Sequence, residues 1–315
     1  MQGSTMLTID KFECHMEEFI TLCLAQGSPH TARAYASDLS QYCSFLRSHA
    51  VTDADIVSPR IANQYAQYLR NGGKKNATIA RVLASLSSYC DYLRAEVAES
   101  LSNPFRHLPI RRTLQGNTEP KPIDAMLLEL LLGGIDNLRD SAMFRMFLSS
   151  GLRVSEMRSL DRDSISILED VDDGKRRIVG VGEVIGKGRK KRRFYLEGDA
   201  LVAYAKYVTT RQDTSTALFL SERGTRMSIR GIQYRLAYWC QRFGAPHLNV
   251  HRLRHSFATE LANNDIDPTV LRDLMGHSSF TTTMRYFRMR DKTVRRHYFA
   301  AMERAKRRRP AGRSD

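Results

Sequence analysis

With 315 residues, 42% of them hydrophobic, the chain can bury two ordinary cores, and two domains are expected. Its formal charge of +15 is clustered: residues 285–315 hold twelve Arg and Lys against three acids, and KGRKKRR (187–193) packs six bases into seven residues, a surface that attracts a polyanion such as nucleic acid. Five scattered cysteines with no CxxC pair argue against a disulfide framework or a zinc site, and the lack of a membrane-length apolar run or a basic-then-apolar start points to a soluble, cytoplasmic protein with no membrane partner.

The first hundred residues carry helical periodicity. A first helix is expected from about Ile9 to Ala25, ending before Gly27-Ser28-Pro29. The stripes Tyr35, Leu39, Tyr42, Leu46 and Ile61, Tyr65, Tyr68, Leu69 predict two more. Ile79, Val82, Leu83, Leu86, Tyr89 and Leu93 predict a fourth, and SHAVTDADIVSP (48–59) and NGGKKN (71–76) break the pattern between them. The sum is a small four-helix bundle over residues 1–102. SNPFRHLPIRRTLQGNTEPKP (102–122) has four prolines and little periodicity, and reads as a linker over 103–122 whose Arg111 and Arg112 are placed to lie along phosphates. Residues 123–315 form the second domain. Helices resume around Met126–Leu132 and Ala142–Leu148, a β-rich stretch follows (164–168, 176–186, 192–196), and beyond residue 200 the pattern is mostly helical. A mainly α chain with a small antiparallel sheet in an α+β second domain is therefore expected.

Within that second domain, several polar residues ask for one explanation. GLRVSEM (151–157) sets Arg153 and Glu156 three apart. In HRLRHSFATELANN (251–264), Leu253, Phe257 and Leu261 form the buried stripe of a helix while His251 and Arg254 share another face. DPTVLRDLMG (267–276) is a punctuated helix with Asp267 as N-cap, Pro268 in the first turn and Gly276 as the stop, after which His277 is displayed at a corner. Lys187 sits in a GKG turn between strands. Tyr286 follows His277 by nine residues, on a threonine-rich segment expected to be short and adjustable.

Singly, each feature is ordinary: a helix-supporting pair, a structural histidine, a turn. Together they are a complete set for attack on a phosphodiester. A phenol, with an unperturbed pKa of about 10, needs a base or nearby positive charge before it attacks. Paired guanidiniums match the non-bridging oxygens on which charge accumulates. A lysine on a turn suits protonation of the departing 5′-oxygen. With arginines stabilising the charge, the scheme calls for no metal. A phosphotyrosine keeps the energy of the broken bond, so it calls for no nucleotide cofactor either, and the chain has no GxxxxGK[ST] loop.

GLRVSEM, GKGRKKR, HRLRH, LMGH and the placement of Tyr286 together resemble the tyrosine recombinases, or phage integrase family, and most of all its compact bacterial members. The likeness is good over roughly residues 120–300 and looser over the N-terminal bundle. It implies a SAM-like core-binding N-terminal domain and a catalytic domain that close on a duplex, with a tetramer exchanging strands through a Holliday junction. Arg153 and Arg254 match the phosphate-clamping arginines, Lys187 the hairpin lysine that protonates the leaving oxygen, and His251 the acid/base beside the second arginine. His277 matches the histidine that supports the phosphate, Tyr286 the nucleophile, and Glu156 the acid that steadies the site; His255 falls in the motif as a structural residue. Lys190, Lys191 and Arg192 join the linker arginines as expected DNA contacts. EDVDDGK (169–175) reads as an inserted hairpin tip. Val294, Tyr298 and Met302 form a stripe that suits docking of the C-terminal helix into a neighbouring protomer and packing on its own domain equally well. Two other readings stay open at this point: a type IB topoisomerase-like enzyme, disfavoured by the separate helical domain, and a catalytically silent DNA-binding regulator, disfavoured by the complete residue set.

Overall fold

The computed structural model describes residues 8–26, 29–51, 56–97, 101–106, 108, 123–172, 175–186, 190–277, 279–287, 299 and 302–303. The chain divides into two compact units, Met1–Thr118 and Glu119–Asp315. Among the described residues, no helix is long and apolar enough to cross a membrane.

The first unit is helical: α1 (Ile9–Cys14), α2 (Met16–Gln26), α3 (Pro29–Ser48), α4 (Pro59–Asn71) and α5 (Asn76–Glu96). The expected first helix is thus two. Thr8 caps α1 by accepting from the Lys11 N–H at 3.2 Å, and the helix stops at His15, whose carbonyl then opens α2 by accepting from Phe19 N–H. The break lets Phe12 and Phe19 both reach the core, where Tyr89 meets the two rings at 4.8 and 5.1 Å between centroids. Tyr42 and Tyr89 bury their rings and satisfy their hydroxyls on the carbonyls of Ile56 and Phe12, so neither leaves a polar group stranded. Tyr68, expected in the stripe of α4, is 45% exposed. The unit also runs past residue 102: Asn103 donates to Ser87 and Asp91 of α5, both at 2.8 Å, and Phe105 and Leu108 are buried in the same core. What begins as a linker by composition is therefore anchored at its start. Arg111 and Arg112 lie outside the described residues.

The second unit begins with α6 (Ala125–Gly133), α7 (Leu138–Ser150) and α8 (Val154–Ser159). An antiparallel sheet follows, β1 (Ile165–Asp172), β2 (Lys175–Ile185) and β3 (Lys191–Leu196) in that order, and then α9 (Gly198–Thr209), α10 (Ile229–Arg242), α11 (Val250–Asn263), α12 (Pro268–Met275) and α13 (Phe280–Met284). Helix α7 is the centre: Met143, Phe144, Met146 and Phe147 are all fully buried. The acidic run expected as a hairpin tip forms the end of the β1–β2 hairpin, most of it paired as strand. Residues 169–172 extend β1, with Asp170 opposite Arg177 and Asp172 opposite Lys175, and Arg176 pairs with Glu169 at 3.4 Å. The exposed Arg176–Glu169 pair adds cross-strand attraction to a strand whose sequence lacks an apolar alternation.

Asp140, fully buried at the start of α7, accepts from Arg139 Nε (2.9 Å), Arg235 Nε (2.6 Å) and Trp239 Nε1 (2.8 Å), tying α7 to α10. Asp140→Ala leaves two guanidiniums and an indole N–H without their acceptor, and chemical denaturation of the variant is expected to show a loss of about 3–5 kcal/mol.

Candidate active site

Two glycines shape the ground on which the site stands. Gly151 ends α7 in the left-handed region (φ 58°), turning the chain so that Arg153 becomes the N-cap of α8; a Cβ there would fall 2.3 Å from the Phe257 ring. Gly276 ends α12 in the same conformation (φ 60°), and a Cβ there would fall 2.8 Å from Arg192 Cδ and 3.3 Å from Arg153 Nη1. Asp267 and Pro268 start that helix as its sequence dictates, Asp267 accepting from Thr269 N–H at 2.7 Å.

The last carbonyls of α12 face a group of arginines. Arg192 Nη1 donates to Leu274 O, Arg254 Nη2 to Met275 O, and Arg153 Nη2 to Gly276 O at 2.7 Å. These are carbonyls that a helix end leaves without partners of its own, at the negative pole of its dipole, so three guanidiniums satisfy three successive acceptors. Arg254 also donates through Nη1 to Gly151 O, joining the ends of α7 and α12, and is 3% exposed. Burial, then the charges of Arg153 and Arg192, bring its pKa down to about 9, which leaves it cationic at neutral pH.

Glu156 holds the cluster together. One carboxylate oxygen accepts from Arg153 Nη1 at 2.8 Å, and the other accepts from the Arg153 backbone N–H and from Arg192 Nη2, both at 2.7 Å. Burial alone would raise this carboxyl; the bond and charge of Arg192 and the bonds from Arg153 hold it below the ordinary carboxylate range.

Beside the arginines lie three histidines and the tyrosine. His251 opens α11 at the surface, its ring 4.5 Å from that of His255 one turn on; desolvation and then Arg254 and Arg153 lower its pKa. His277 shares a hydrogen bond with Thr283 Oγ1 at 2.9 Å, and its pKa falls to about 4 through desolvation and then the charges of Arg254 and Arg153. Tyr286 follows the five-residue α13, its amide bonded to Thr283 O. Its half-buried ring lies parallel to that of His277, 7° between planes and 6.4 Å between centroids, and its hydroxyl is 2.5 Å from His255 Nδ1. Burial raises its pKa, and Arg254 and Arg285 pull it back.

The fold thus brings together Arg153, Glu156, His251, Arg254, His277 and Tyr286. Lys187 lies outside the described residues. Gly186, the residue before it, donates its N–H to Lys190 O at 2.8 Å, and a Cβ on Gly186 would lie 3.6 Å from both Arg153 Nη1 and Glu156 Oε1. Lys190 is exposed and Lys191 pairs at the surface with Glu183 at 3.0 Å. Arg192 departs from its expected place among the DNA contacts: its side chain is turned inward, 9% exposed, with Nη1 donating to Leu274 O and Nη2 to Glu156. The alternation of β3 carries the signal, because Arg192 shares a face with buried Phe194 and Leu196. His255, read as structural, is the group that meets the tyrosine hydroxyl; its spacing of four from His251 places both on one side of α11. Among the described residues, no group of three or more His, Cys, Asp or Glu is arranged to hold a metal ion.

This arrangement, guanidiniums gathered at a helix end with a half-buried phenol next to them, supplies the kinds of group that phosphoryl transfer to a phenol requires. The model of the phage integrase family matches residues 122–293, and that of the phage integrase N-terminal SAM-like domain matches residues 16–97. Tyrosine recombinase XerC of Neisseria meningitidis serogroup C is 33% identical, the match covering 96% of this chain and 99% of the relative. The fold is shared with the Tn1549 transposon integrase solved with transposon right end DNA (TM-score 0.68, 19% identity, 94% of this chain and 99% of that one). It is shared too with the XerH site-specific recombinase on a palindromic difH substrate (TM-score 0.68, 18% identity, 93% and 84%). The chain belongs to the phage integrase family, the tyrosine recombinases, enzymes that break and rejoin DNA strands in site-specific recombination.

Proposed function

We propose that the chain binds double-stranded DNA in the cytoplasm and cleaves it by attack of Tyr286 on the scissile phosphate, leaving a 3′-phosphotyrosine and a free 5′-hydroxyl. Arg153 and Arg254 grip the non-bridging oxygens; a guanidinium has more N–H donors than the carbonyl and carboxylate partners of either residue use. Glu156, with Arg192 behind it, holds Arg153 in aim. His251 acts beside Arg254 in proton transfer, His277 supports the phosphate, and Lys187 on its turn protonates the 5′-oxygen. Lys190, Lys191, Arg111 and Arg112 contact the DNA backbone. Rejoining reverses the step, and a tetramer on two duplexes exchanges strands through a Holliday junction; Val294 and Tyr298 of the C-terminal stripe lie outside the described residues.

The observation that carries this reading is the convergence of Arg153, Arg192 and Arg254 on the carbonyls just before His277, with Tyr286 stacked on that histidine. A binder that had lost catalysis would have no use for so closely held a set, and the SAM-like domain favours a recombinase over a supercoil relaxase. The test is to trap the protein on nicked suicide duplexes and map the linkage, which should fall on Tyr286. Arg153→Lys, which cannot bind Glu156, Gly276 and a phosphate at once, is expected to form this adduct about 10²-fold more slowly with DNA affinity little changed. Adduct at another residue, or near-normal rates in Arg153→Lys, would count against the assignment.

A further inference from the structure

Resting on that reading, we propose that His255 is a catalytic residue, the base that takes the proton of Tyr286 during cleavage and returns it during rejoining. Its Nδ1 is 2.5 Å from the tyrosine oxygen, and it approaches from α11, the helix that also carries Arg254. A base must touch the proton it removes, and His255 is the group in that position. His277 lies on the face of the phenol ring and uses its Nδ1 on Thr283.

The protonation state agrees with the geometry. Desolvation, then the charges of His251, Arg254 and Arg285, bring His255 down to about 4, so at neutral pH it is an unprotonated imidazole with a lone pair to offer. The groups that face it are His251 and Arg254 on its own helix, Arg285 and Tyr286 after α13, and His277 after α12. All but the tyrosine are cations or potential cations. A phosphate entering between Arg153 and Arg254 cancels much of this field, which raises the basicity of His255 when the nucleophile is needed. The step balances as follows. The Tyr286 oxygen bonds to phosphorus, its proton passes to Nδ1 to make an imidazolium, and the P–O5′ bond breaks, the 5′-oxygen taking a proton from a separate acid, for which Lys187 is proposed. In rejoining the 5′-hydroxyl attacks, its proton goes back to that acid, and the released tyrosinate recovers its own from His255.

The role has a spectroscopic and a kinetic test. A base requires the Nε2–H tautomer with Nδ1 open to the phenol, visible in the imidazole nitrogen shifts of the free protein; an Nδ1–H donating to the tyrosine oxygen would overturn the proposal. For kinetics, a duplex enriched by Tyr286→Phe protein from a random pool is nicked to trap the adduct and followed in single turnover. Wild type should show a rate that rises with pH as His255 loses its proton and then levels. His255→Asn keeps a hydrogen-bond acceptor near the Nδ1 position without basicity, and is expected to lose about 10²–10³-fold together with that pH limb. The same loss should persist on a duplex with sulfur in place of the bridging 5′-oxygen, a leaving group that needs no acid. Wild-type rates with the limb intact, or recovery on the sulfur duplex, would overturn the proposal. If Tyr286→Phe itself formed adduct, the nucleophile assignment would fail and this inference with it, an outcome distinct from a silent His255→Asn.

Discussion

Tyr286→Phe is expected to bind recombination-site DNA with unchanged affinity and to form no covalent adduct, a loss of at least about 10⁴-fold in single-turnover cleavage. The argument is local. The substitution removes one oxygen and leaves the ring that stacks on His277 and packs against the small cluster of Phe257, Ala258, Leu271 and Met275. The arginines do not touch the hydroxyl in this structure; they are held by Glu156 and the carbonyls of α12, so their geometry survives the change. Binding and chemistry should therefore separate cleanly in a mobility-shift assay run beside an adduct assay. Residual cleavage would move the nucleophile elsewhere.

Arg254→Lys is the second large effect, and unlike the first it should damage structure and chemistry together. Arg254 bridges Gly151 O and Met275 O while buried, which joins the ends of α7 and α12, and both left-handed glycines border this bridge. A lysine supplies a point charge on a flexible stem that cannot span two carbonyls and a phosphate oxygen. One carbonyl is left unsatisfied, at a cost of about 1–3 kcal/mol in stability. Loss of a forked donor to the transition state adds about 10²–10³-fold in rate. Thermal unfolding and adduct formation read the two parts separately. A variant with full stability and full rate would remove Arg254 from the proposed clamp.

Much of this was legible in the residues themselves. The caps and stops of α12 follow from Asp267, Pro268 and Gly276, and the helical stripes of the first unit follow from a period that burial enforces. Arg153, Arg254, His277 and Tyr286, from four separate motifs, form one chemical set by residue type alone, because phosphoryl transfer to a phenol asks for few residue types. The break at His15 was hidden, since Phe12 and Phe19 belong to both an unbroken and a broken pattern. The length of β1 was hidden because its last residues pair with β2 along the backbone without an apolar alternation to mark them.

The sequence by itself determined which side chains were available for chemistry and which local segments would be helix, strand or turn, since those depend on residue type and on neighbours a few positions away. Tertiary structure alone decided how they were shared out. It spent Arg192 on Glu156 and a helix-end carbonyl, and it put the tyrosine oxygen against His255. Those assignments depend on which orphaned carbonyls and lone pairs come within about 3 Å of a donor, and that distance is set by the packing of α7, α11 and α12 across more than a hundred residues of chain, where no local pattern reaches.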